Sequence, residues 1–137
     1  MKYIGLIFLG ITACLLTACG PITDTTKSAE NLTSESLVGT WDVALYFSPN
    51  DPPSSTVMEI SGVQDNGVIE GSFYQSPFEL GRFTQQGDEL IISVITSDGS
   101  GKYFTSGRLS PSGAFIGQTH SEGRDFLMPW TAQKSTQ

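Results

Sequence analysis

The chain has 137 residues, room for one small domain and a single core once a leader and a tether are set aside. Fourteen acidic residues against seven basic ones give a net charge of −7, which argues against a nucleic-acid partner and leaves solubility or a basic protein partner as uses for the charge. Gly at 15 residues and aromatics at 10% suit many short strands joined by tight turns, and both cysteines fall at Cys14 and Cys19, so no disulfide can staple the rest of the chain.

Met1-Lys2 supplies a positive start, and 3–16 is an almost unbroken apolar run. This is the pattern of a secretory signal, expected over residues 1–18, and it is shorter than the roughly 20 residues a membrane-spanning helix needs. Leu16-Thr17-Ala18-Cys19 resembles the lipobox of bacterial lipoproteins. The resemblance implies cleavage before Cys19, a diacylglycerol thioether on its sulfur and anchoring to a membrane through acyl chains. Ile11-Thr12-Ala13-Cys14 fits the same pattern, but cleavage there would strand Leu15-Leu16 on the mature chain, so Cys19 is the expected attachment site. Gly20, where an Asp would favour inner-membrane retention, implies the outer membrane in a host with two membranes. Residues 19–36, rich in Thr, Ser, Asp, Glu and Asn, are too poor in large apolar side chains to offset ordering entropy and are expected to be a flexible tether.

From residue 37 to 133 apolar and polar residues alternate with a period of two. Trp41, Val43, Leu45 and Phe47 share one face of the first run, with Thr40, Asp42 and Ala44 on the other. Further runs occur at 56–63, 68–74, 78–84, 89–95, 102–109, 114–119 and 126–132, with no room between them for crossover helices. The prediction is an all-β domain, an eight-stranded antiparallel up-and-down β-barrel. Gly67-Val68-Ile69-Glu70-Gly71 and Gly113-Ala114-Phe115-Ile116-Gly117 echo one another, each with a second Gly in mid-strand, where a bend or a bulky neighbour must require it. Successive loops of a meander alternate between its two ends. The turns at 65–67, 85–88 and 110–113 fall at a compact end with both termini; 48–55, 75–77, 96–101 and 120–124 fall at an irregular, open end, which is the expected binding end.

Gly39-Thr40-Trp41 resembles the Gly-x-Trp signature of lipocalins and their relatives, the avidins and lipocalin-like bacterial lipoproteins among them. The resemblance implies that Trp41 plugs the closed end of the barrel and that the first loop overhangs its mouth. The chain lacks the family's Thr-Asp-Tyr before the seventh strand and its late Arg on the tryptophan; Lys134 is the candidate substitute for the latter.

Catalysis is not expected, because the one His, His120, has only Ser121 or Asp125 as near neighbours and adjacency does not create triad geometry. Neither a metal nor another cofactor is expected, and Asp98-Gly99-Ser100-Gly101 and Asp65-Asn66-Gly67 read as tight turns rather than calcium loops. Tyr46 and Tyr74 near the mouth are the expected ligand contacts, with His120 and Arg124 as a polar rim. The expected function is a membrane-anchored, non-enzymatic envelope lipoprotein that binds a small apolar or amphipathic ligand or an envelope component. The alternatives are an acidic interaction protein for a basic partner, similar to lysozyme inhibitors, and a purely structural envelope lipoprotein.

Overall fold

The computed structural model describes residues 31–136, so the leader, Cys14 and Cys19 lie outside the described residues. A 3-10 helix, Ser34–Leu37, leads into nine strands: β1 Gly39–Leu45, β2 Ser54–Val63, β3 Ile69–Phe73, β4 Ser76–Pro77, β5 Leu80–Gln86, β6 Glu89–Asp98, β7 Gly101–Leu109, β8 Ala114–Ser121 and β9 Phe126–Lys134. They form one all-antiparallel sheet in the order β4-β3-β2-β1-β9-β8-β7-β6-β5, an up-and-down meander whose first and last long strands pair.

Two features of the predicted barrel need correction: there are nine strands rather than eight, and the sheet is not closed into a barrel by a continuous ladder. Both trace to the stretch expected as a loop over 75–77 and one strand over 78–84: Ser76–Pro77 of the loop forms β4, and the following strand pairs elsewhere. Pro77 is the last residue of β4, paired with Ser72, and has no N–H of its own to donate. The next two amides then donate to opposite neighbours, Phe78 N to Gly71 O at 2.9 Å and Glu79 N to Ile95 O at 2.8 Å. The chain therefore leaves β3 as β4 and joins β6 as β5, without reversing direction. Across this seam there is a single bridge, Val68 to Arg82, and a hydrogen bond from Phe83 N to Gly67 O. Gly81 is required there, because a Cβ on it would lie 2.3 Å from the Ile69 carbonyl oxygen.

The period-two pattern sorts the side chains as expected, with Trp41, Val43 and Leu45 of β1, Leu90, Ile92 and Val94 of β6, and Met128, Trp130 and Ala132 of β9 all buried in one core. The compact end is covered by the 3-10 turn, made of the last residues of the expected tether and Leu37. Leu37 is fully buried, and its carbonyl accepts a 2.9 Å hydrogen bond from Trp41 Nε1. Trp41 packs edge-on against Phe115, ring centroids 4.7 Å apart. Lys134 Nζ lies 5.4 Å from the Trp41 ring centroid and donates to Ser36 O, a cation held over the ring's electron-rich face.

In mid-sheet, Gly107 of β7 and Gly117 of β8 pair directly and leave a slot for the Trp130 ring. A Cβ on Gly107 would lie 2.5 Å from the far edge of the indole, and one on Gly117 2.2 Å from it. The bulky neighbour is thus the reason for the mid-strand Gly117.

Candidate functional site

The register places residues 39 and 134 at one end of the sheet, together with the turns after β2, β5 and β7. The connections after β1, β3, β6 and β8 gather at the other end, around an open cavity of about 150 Å³.

Tyr74 and Gln75 make the two-residue link from β3 to β4, both with positive φ, at 51° and 67°. That backbone belongs to a type I′ hairpin, which usually takes Asn-Gly; a residue with a Cβ costs about 1–2 kcal/mol in this region. Tyr74 lines the cavity and is 62% exposed.

The β6–β7 and β8–β9 links are tied to each other. Asp98 Oδ1 accepts from the Ser100 amide at 2.7 Å and the Ser100 hydroxyl at 2.5 Å, while Oδ2 accepts from the Tyr103 hydroxyl at 2.8 Å and Arg124 Nη2 at 3.1 Å. Arg124 Nε donates to Ser100 Oγ at 2.7 Å, and its guanidinium lies 5.9 Å from the Tyr103 ring centroid. The Ser100 hydroxyl and amide, then the Tyr103 hydroxyl and the Arg124 charge, hold the Asp98 carboxyl down at about 2. Beside this latch the Ser97 hydroxyl and Lys102 lower the Glu79 carboxyl in the same way.

Below the rim the cavity has two unlike walls. Thr96 of β6, Thr105 of β7 and Thr119 of β8 make one, all at most 3% exposed, with Thr105 and Thr119 sharing a 2.9 Å hydroxyl-to-hydroxyl hydrogen bond. Leu45 of β1, Phe73 of β3, and Phe126 and Met128 of β9 make the other. The floor is the packed core, where Phe73 meets Trp130 at 5.5 Å between ring centroids. Trp130 Nε1 is buried there without a hydrogen-bond partner among the described residues.

Of the residues expected at the site, Tyr74 and Arg124 line the cavity. Tyr46 does not: alternation along β1 sends Leu45 and Phe47 to the cavity and Tyr46 outward, where its hydroxyl meets that of Thr131 at 3.2 Å. His120 also faces outward, stacked on Phe104 with ring centroids 6.4 Å apart, whereas Ser121 beside it is fully buried on the opposite face. The two therefore cannot act as a base and nucleophile pair. Trp41 sits in the core at the compact end, and Cys19 lies outside the described residues. Among the described residues no three His, Cys, Asp or Glu side chains come together as metal ligands.

The hydroxyl wall went unrecognised in the sequence although its signal is there. Leu90, Ile92, Val94 and Thr96 share one parity on β6, as do Phe115, Gly117, Thr119 and Ser121 on β8, and each series turns polar at its loop end. The Asp98–Arg124 contact has no comparable signal, because 26 residues separate its partners.

No protein-family model, no curated protein and no solved structure matches this chain.

Proposed function

We propose that this chain is an exported lipoprotein, held to a membrane by acyl chains on Cys19, whose β-domain binds a small ligand or an envelope component at its loop end and performs no chemistry. The observation that carries the reading is the cavity of about 150 Å³ opening between the four loops at the end opposite the chain's entry into the domain. A cavity of that order holds a single six-membered ring when dry, so it takes one group of a ligand while the rest emerges through the mouth. Entry of the chain at the compact end fits a tether there and a mouth facing away from the anchor.

The lipocalin-like reading draws support from Gly39-Thr40-Trp41 opening β1, from Lys134 on the Trp41 ring, and from the bridge at the β3–β5 seam, which brings the sheet edges together as a small barrel would. Recognition of a basic partner at the rim is disfavoured, because Asp98 and Glu79 are already engaged by Arg124 and Lys102.

Two experiments test the proposal. Metabolic labelling with a radioactive fatty acid should mark the wild-type and Cys14→Ser chains and not Cys19→Ser; label retained on Cys19→Ser refutes the anchor. A ligand-library thermal shift should find compounds that raise the melting temperature of the wild-type protein and do so less in Tyr74→Ala and Phe47→Ala. A library without a single stabilising compound refutes the pocket.

A further inference from the structure

Resting on the reading of the loop-end cavity as a binding site, we propose that the group it takes is a neutral sugar ring, seated edge-on to the threonine hydroxyls and face-on to the aromatic wall. Three observations converge on this chemistry.

Depth comes first. Thr96 and Asp98 of β6, Tyr103 and Thr105 of β7, and Phe126 and Met128 of β9 line the cavity, while the next inward residues, Val94, Gly107 and Trp130, belong to the packed core beneath. β6, β7 and β9 thus contribute two inward positions each, a depth of roughly 7 Å. A ring fits that depth, whereas an acyl chain would meet the Trp130 indole after a few carbons.

The second observation is the lateral division of the walls. Among the described residues the buried polar side chains, Thr96, Thr105 and Thr119 of the cavity wall and Ser121 beside it, all lie on the adjacent strands β6, β7 and β8. The hydrogen bond between Thr105 and Thr119 uses one of their two hydroxyl protons, leaving one donor and several lone pairs for a ligand. An alkyl group pressed against this wall would strip water from these hydroxyls and return no hydrogen bond, which is unfavourable. A sugar ring carries equatorial hydroxyls at its edge and C–H groups on its faces. It can satisfy the threonines while packing its apolar face on Phe73 and Phe126.

The third is the state of the charges. Arg124, the nearest cation, spends Nε and Nη2 on Ser100 and Asp98, and Asp98 accepts four hydrogen bonds from within the protein. The rim is a self-neutralised latch, so it demands no charge of the ligand.

The experiment uses the full-length chain in a detergent without a sugar headgroup, titrated with N-acetylglucosamine, methyl glucoside and octanoate while backbone amide resonances are followed. Both sugars are expected to shift the Thr96, Thr105 and Thr119 amides with millimolar affinity and to outcompete octanoate. The isosteric variant Thr119→Val should weaken sugar binding roughly five- to tenfold, the effect of one hydrogen bond, and strengthen octanoate. If octanoate moves these resonances and the sugars do not, the sugar assignment is overturned while the binding cavity stands. If no probe moves them, both fall. Equal sugar affinity in wild type and a folded Thr119→Val chain also overturns the assignment, and the wild-type titration decides the matter should that variant fail to fold.

Discussion

The slot that Gly107 and Gly117 open for Trp130 leads to a prediction whose sign depends on the partner. A Cβ on Gly107 would lie 2.5 and 2.9 Å from the two outermost carbons of the indole, and its other close neighbour is Phe115 Cδ1 at 3.4 Å. Carbon atoms settle at roughly 3.5–4.0 Å, so Gly107→Ala must displace the indole by about 1 Å in a core that has no slack. Overpacking of this kind costs about 1–3 kcal/mol, against which a strand alanine regains about 0.5–1 kcal/mol over glycine, leaving a net loss of about 1–2 kcal/mol. In a Trp130→Phe background the colliding ring edge is gone and the unpartnered Nε1–H with it. The same Gly107→Ala change should there stabilise by about 0.5–1 kcal/mol, a coupling of about 2 kcal/mol. Urea unfolding of the four proteins, compared at equal m-values, measures the cycle. Equal destabilisation by Gly107→Ala in both backgrounds would refute steric exclusion as the reason for the glycine.

Other predictions concern the rim and the compact end. Gln75→Gly relieves a side-chain-bearing residue of a left-handed conformation at φ 67° and should raise stability by about 1 kcal/mol, read as a melting-temperature increase of several degrees; a decrease refutes the strain. Asp98 is held at about 2 in the folded protein, below the roughly 3.9 of an unfolded aspartate, so its contribution is complete above about pH 4 and is lost as pH falls through 2. The difference in urea midpoint between wild type and Asp98→Asn should therefore shrink across that interval, and a gap independent of pH removes the latch from the account. Leu37→Ala, which opens the covered end, should cost about 2–4 kcal/mol by chemical denaturation; a loss below about 1 kcal/mol means the 3-10 turn does not close the core.

Much of the architecture was legible along the chain because a strand's side chains alternate whatever their neighbours do. Trp41, Val43 and Leu45 declare an inward face, and the Asp-Asn-Gly and Ser-Pro-Ser-Gly turns divide the loops between two ends. Closure was not legible. It turns on the amides of Phe78 and Glu79 donating to different strands, to Gly71 O of β3 and Ile95 O of β6, which are partners distant in sequence. Parity also separates Tyr46 from Phe47: Phe47 lines the cavity with Leu45, and Tyr46 faces outward against Thr131.

The candidate site divides along the same line. That small polar residues occupy inward positions at the loop ends of β6, β7 and β8 is written in the order of the residues, since position along a strand and parity are local properties. That Thr105 and Thr119 share a hydrogen bond, that Asp98 meets Arg124, and that Trp130 needs two glycines are contacts between strands. Such contacts depend on register, and register is a cooperative property of the folded sheet: each pairing is held by its neighbours, and a slip of one residue would turn every side chain to the other face.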